Sequence, residues 1–148
     1  MRILLSTVSS DSHTWNLVFL QLLLEEAGHE VVNLGSCVPD ELLIETARRE
    51  QPDAIVISSV NGHGHLDGAR LIRAVRADRA VSSIPAMIGG KLGIRGSDNI
   101  EHARGLMDAG FDAVFTEGGD PALLNEWLAA LIPTRSAPEL LPAAEGGR

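Results

Sequence analysis

The chain has one cysteine, Cys37, no tyrosine, and only 3% aromatic residues. A lone thiol cannot form an internal disulfide, so the cytoplasm is the expected compartment. With so few rings, a base-stacking platform for nucleic acid is excluded. Cations are scarce as well. Twelve Lys and Arg face twenty Asp and Glu, and the net charge of -8 argues against a phosphate backbone as partner. No apolar run approaches the roughly 20 residues that span a membrane, so no membrane partner is expected. Met1 and Arg2 lead directly into "ILLSTV", a strand-length run without the apolar stretch and cleavage site of a secretory leader. What the sequence does have is a core. Hydrophobic residues make up 45% of 148 positions, which suits one domain.

Strand-like and helix-like segments alternate along the chain. Strands are predicted over 2–8, 30–35, 53–60, 84–90 and 112–115. Helices are predicted over 17–28, 39–50, 66–78, 99–110 and 121–132. Gly28 reads as a helix stop; Pro39, Asp40 and Glu41 suit a first turn, and Ser97 or Asp98 a cap. Five such units imply an α/β fold. The expected form is a flavodoxin-like, doubly wound, five-stranded parallel sheet in the order 2-1-3-4-5, with helices on both faces. The domain is expected to occupy 1–132, and 133–148, rich in Pro, Ala and Gly, to be a disordered tail. Ligands of such sheets bind outside the carboxyl ends of the strands. The candidate loops are therefore 9–16, 35–38, 59–65, 89–98 and 116–120.

Three of these loops carry unusual residues: "DSHTWN" at 11–16, "SSVNGHG" at 58–64 and "GGKLG" at 89–93. Forty-one residues separate Asn16 from Ser58, and 28 separate Val60 from Gly89. In composition and spacing the three elements resemble the cobalamin-binding fingerprint DxHxxG…SxL…GG. The resemblance is greatest to the small subunits of glutamate (methylaspartate) mutases and covers about residues 2–132, including "VVNLG", "VSSVNGHGHLD" and "GFDAVF". Two positions depart from the pattern. Asn16 stands for a glycine, taking space where the cofactor's nucleotide tail enters, and Val60 stands for a leucine, keeping an apolar wall.

The resemblance implies adenosylcobalamin as cofactor, its own base displaced from cobalt by His13. Imidazole nitrogen is a suitable ligand for such a metal. Asp11 would accept the other ring N–H of His13, fixing the tautomer and raising basicity. Ser58, Ser59, Val60 and Gly62 would line the channel for the nucleotide tail. Gly89 and Gly90 would let backbone approach it closely. Lys91, Leu92, Gly93, Ile94 and Arg95 would meet the tail phosphate or the corrin amides, with Ser10, Ser12 and Thr14 as polar neighbours of His13. No catalytic residue is expected on this chain. It has no room for a barrel of roughly 250 residues, so the resemblance implies a large barrel-type catalytic mutase subunit, in a heterotetramer of two large and two small chains.

Plainer readings compete at single positions. Asp11 would serve as a helix N-cap, and Gly89-Gly90 alone is an ordinary turn signal. Trp15 and Trp127 read as packing residues, and Cys37 as an inert thiol. "HGHLDG", with His63, His65 and Asp67, resembles part of the first metal motif of metallo-β-lactamase-like hydrolases, but Gly68 stands where the last histidine belongs. A place on the rim of the cofactor face fits His63 and His65 better. His29 and His102 are expected at the surface. Among whole functions, a corrinoid carrier for methyl transfer shares the fingerprint. Such carriers usually have a helical domain ahead of it, whereas here the first strand begins at residue 2. A flavodoxin-like FMN carrier would use the hydroxyl-rich first loop for phosphate but lacks a ring-stacking aromatic in "VNGHG". A phosphorelay receiver needs an aspartate where Ser58-Ser59 stands.

Overall fold

The computed structural model describes residues 1–116 and 120–131. Its elements run β1 (Arg2–Ser6), α1 (Trp15–Glu26), β2 (Glu30–Asn33), α2 (Asp40–Glu50), β3 (Ala54–Ser59) and α3 (Gly64–Ala77). Then come β4 (Ala86–Gly90), a single 3-10 turn (Gly96–Asp98), α4 (Asn99–Ala109) and β5 (Ala113–Thr116). A further helix, α5, covers 122–131. The strands form one parallel sheet in the order β2-β1-β3-β4-β5, the order expected from the alternation. The chain divides into two compact units, Met1–Gly118 and Gly119–Arg148, and α5 belongs to the second. The expected tail, 133–148, lies outside the described residues.

Side-chain alternation sorts the sheet into two faces. Leu4, Ile55, Ile57, Ala86 and Ile88 share one buried cluster with Leu43 and Ala47 of α2, Leu71, Ile72 and Val75 of α3, and Leu106 of α4. Ile3, Leu5, Ala54, Val56 and Met87 are equally buried but alternate onto the opposite face, as do Leu17 and Leu24 of α1. Such double coverage makes parallel strands uniformly apolar, and β3 is buried along its whole length. Gly68 permits close approach of α3: a Cβ there would stand 2.6 Å from Ile88 Cδ1. α1 is apolar nearly all round, and its outer positions Trp15, Phe19 and Leu22 are exposed, Trp15 by 83%. Trp15 is therefore no packing residue, contrary to expectation.

Boundaries differ from the sequence reading by at most two residues, for local reasons. β1 stops at Ser6 rather than residue 8, because the chain turns and the Asp11 N–H donates to the Val8 carbonyl at 3.1 Å. α3 begins at Gly64, not residue 66, because the His63 carbonyl already accepts from Leu66 and Asp67. Pro39 precedes α2, whose first turn carries Asp40 and Glu41 and whose last carries Arg48 and Arg49, each sign opposing the helix dipole.

Candidate functional site

The β1–α1 loop is built around one buried carboxylate. Asp11 is fully buried. Its Oδ1 accepts from the His13 backbone N–H at 3.0 Å and from His13 Nδ1 at 2.7 Å. Its Oδ2 accepts from the Val60 N–H at 2.7 Å and the Ser59 hydroxyl at 3.3 Å. Burial pushes the Asp11 pKa up, but the His13 and Val60 backbone donors, with the His13 side chain, outweigh it and hold the carboxyl below its ordinary value. An ionised carboxylate only accepts, so His13 Nδ1 donates to it, and in the neutral ring Nε2 is then the nitrogen with a lone pair. The ring itself is 57% exposed. The dyad thus presents a basic nitrogen at the carboxyl edge of the sheet, with its tautomer fixed from behind. Asp11 does not cap α1: the cap position is Thr14, which makes no side-chain cap bond.

Other predicted residues take several places. Ser10 and Ser12 are exposed beside the dyad. Ser10 Oγ accepts from Asn61 Nδ2 at 3.0 Å and donates to Asp67. Asp67 also pairs with Arg70 at 2.9 Å, and Arg70 bonds Asp40 at 2.8 Å and Ser9 at 2.9 Å. The hydrogen bond to Asp40, with Asp67 behind it, raises the Arg70 pKa. This polar belt ties α2, α3 and the first loop together. Asp67 is thereby committed to Ser10 and Arg70. Among the described residues no group of three His, Cys, Asp or Glu is placed to hold a metal ion.

The second and third fingerprint elements are packed against each other. Ser59 faces Gly90 and Ser58 faces Gly89 in the sheet register. Ser59 is fully buried and its hydroxyl reaches Asp11 Oδ2 and Asn61 Oδ1, so it supports the dyad from behind. Gly90 has φ +114°, and a Cβ there would fall 2.2 Å from the Ser59 carbonyl oxygen. The close approach that requires this glycine is to the protein's own backbone. Leu92 turns its side chain into the core, where Gly64 leaves room for it, so only its backbone is left to meet a ligand. Its carbonyl accepts from the His65 N–H at 2.9 Å and His65 Nδ1 at 2.6 Å. Gly62 N–H donates to the Lys91 carbonyl at 3.2 Å, so the two loops close as one unit. Lys91, Ile94 and Arg95 stay exposed on it. His102, expected at the surface, is half-buried, stacked on His65 at 3.9 Å beneath Gly93.

Asn16, a departure from the fingerprint, and Thr7, outside the predicted set, complete the edge. Asn16 Nδ2 donates to Ser58 Oγ at 2.7 Å, while its Oδ1 is buried and without a partner. Thr7 is fully buried and its hydroxyl is likewise unpartnered. Thr7 could have been found from alternation alone: it lies two residues after Leu5, on the α1 face, where the apolar pattern breaks.

A sheet in this order with an imidazole on its carboxyl edge defines a ligand-holding α/β domain, and the comparisons name its class. The B12 binding domain family matches residues 1–124, and the chain belongs to that family. It is 33% identical to glutamate mutase sigma subunit 2 of Haloarcula marismortui over 93% of this chain and 91% of that one. The glutamate mutase sigma subunit of Treponema denticola is 32% identical, over 80% of this chain and 84% of that one. Among solved structures, a cobalamin-binding protein from Desulfitobacterium hafniense superposes with TM-score 0.70 at 20% identity, covering 88% of this chain and 58% of that one. A response regulator from Desulfuromonas acetoxidans does so with TM-score 0.66 at 16% identity, covering 90% and 98%. Those two share the fold. The residues on this edge fit a cobalamin. Nε2 of His13 is a free donor of the right chemistry for cobalt, and the buried, unpaired Thr7 and Asn16 oxygens suit a polar arm.

Proposed function

We propose that this chain is the cobalamin-binding small subunit of an adenosylcobalamin-dependent carbon-skeleton mutase, an isomerase of the glutamate mutase kind. Residues 1–132 form the cofactor domain. His13 Nε2 would hold the cobalt in place of the cofactor's own base. The observation that carries this reading is the Asp11–His13 dyad, a half-exposed imidazole held by a buried carboxylate at 2.7 Å. When bound, adenosylcobalamin supplies a carbon radical by homolysis of its Co–C bond.

This chain's own residues bind and orient. Asp11 fixes the tautomer of His13, Val60 and Ser59 fix Asp11, and Lys91, Ile94 and Arg95 are exposed where corrin amides or a phosphate would pass. No catalytic residue is assigned to this chain. Substrate is held by a separate barrel-type catalytic subunit, with two chains of each kind in a heterotetramer in the cytoplasm. Interconversion of glutamate and 3-methylaspartate is the reaction that agrees with the names of the relatives.

The test is reconstitution with cobalamin, followed by the visible spectrum. The expected spectrum is that of a corrinoid whose own base has left cobalt, with His13→Ala losing at least about tenfold in affinity. Equal spectra and affinities for the two proteins overturn the reading. Radical mutase turnover is expected only after a barrel-type partner subunit is added.

A further inference from the structure

The α1 side of the carboxyl edge contains a polar nook that the described residues satisfy only in part. Ile57 faces the α2–α3 core, so Ser58 faces α1. The register that ends at Ser6 opposite Ile57 brings Thr7 beside Ser58 on that same face. Asn16, in the first turn of α1, closes the nook by donating Nδ2 to Ser58 Oγ at 2.7 Å. Two buried polar atoms are left over, Asn16 Oδ1 and Thr7 Oγ1. Opposite Ser58 stands Gly89, which contributes no side chain. Outside the nook an open groove of about 420 Å³ runs along α1, lined by Thr14, Leu17, Val18, Gln21 and the end of β2. The other side of the edge is filled, because Gly64 already packs on Ser59 and Leu92.

A corrinoid held by His13 would put its displaced arm on one of these sides, and among the described residues the α1 side carries the open groove. A buried acceptor without a donor disfavours an apolar ligand and favours one that brings an N–H. We propose that Asn16 is a specificity-determining residue that reads the hydrogen-bonding edge of the corrinoid's lower base. The carboxamide oxygen accepts from an exocyclic amine or ring N–H, and the Thr7 hydroxyl pairs with the same edge. A purine carrying an amine fits this nook better than dimethylbenzimidazole, whose outer edge bears two methyl groups. This inference rests on the proposed binding of a base-displaced corrinoid.

The test is a spectrophotometric titration of the intact protein with two complete corrinoids, one with an adenine lower base and one with dimethylbenzimidazole. Asn16→Gly opens the nook; Asn16→Leu keeps its bulk without its polar atoms. Adenine is the weaker ligand for cobalt, so the wild-type affinity ratio is read against the ratio in each variant. The expected result is a preference for the adenine form that falls by about tenfold or more in both variants. If Asn16→Gly does not fold, Asn16→Leu alone supplies the reference. An unchanged ratio overturns the inference while base-displaced binding of both corrinoids stands. If neither corrinoid binds with its base displaced in any of the three proteins, the proposed function fails and this inference with it.

Discussion

At the scale of single residues, Asp11 carries the most. It collects four donors inside the protein, from His13, Val60 and Ser59. In Asp11→Asn one of the two oxygens becomes an amine facing donors. Either a buried N–H loses its acceptor, at about 1–3 kcal/mol of stability, or the ring of His13 is released. Cofactor affinity in this variant is expected to fall by about 10–100-fold in a titration followed by absorbance. The same carboxyl sets an acid limit. Its folded pKa is lowered, so its contribution is complete above the unfolded value of about 3.9 and is lost as pH falls through the folded value. Urea midpoints measured from pH 6 to pH 2.5 are expected to drop more steeply below pH 4 for the wild type than for Asp11→Asn. Gly90→Ala combines a φ of +114° with a Cβ placed 2.2 Å from a carbonyl oxygen, and is expected to cost more than about 2 kcal/mol in the same assay. The contact between His13 and Asp11 was anticipated through the resemblance to the DxHxxG fingerprint, which a lone aspartate and histidine two residues apart would not have carried. The true neighbour of Gly90 was not, since a glycine in a strand does not say whether ligand or backbone approaches it. The orphan oxygens of Thr7 and Asn16 depend on the packing of α1, which spacing alone does not reveal.

At the scale of elements, the alternation of apolar runs was enough to predict every strand and α-helix among the described residues, and five strand–helix units favoured the observed sheet order among the few that right-handed crossovers leave. Ends were less legible. They are set by turn hydrogen bonds, such as Asp11 N–H to Val8, that depend on loop conformation rather than on hydrophobic pattern. Predicted loops after β3 and β4 proved to be one element in effect, joined by Gly62 to Lys91, His65 to Leu92 and the His65–His102 stack. Sequence reading had assigned His65 and His102 no common role, because stacking between the starts of two helices leaves no local signature. Helices give a contrast among glycines. Gly105 lies inside α4 and a Cβ there meets nothing within 4 Å. Gly105→Ala is expected to stabilise the protein by roughly 0.5–1 kcal/mol in urea unfolding. Gly68→Ala, whose Cβ would strike Ile88, is expected to destabilise it.

At the scale of the molecule, the sheet is a rigid platform whose carboxyl edge collects all three fingerprint elements, and membership of the B12 binding domain family accords with that placement. A chain that holds its ligand on an open edge leaves the other face of that ligand for a partner, as the proposed mutase assembly requires. The account stands on the bond between His13 Nε2 and cobalt, and one spectrum probes that bond. Protein is grown with every histidine carrying nitrogen-15, loaded with cobalamin, reduced to cobalt(II) and examined by electron paramagnetic resonance. Coordination by a protein imidazole is expected to split each cobalt line into two, in place of the three given by unlabelled protein. Three lines in both samples would mean that the nitrogen on cobalt belongs to the cofactor and not to the protein, contradicting the account.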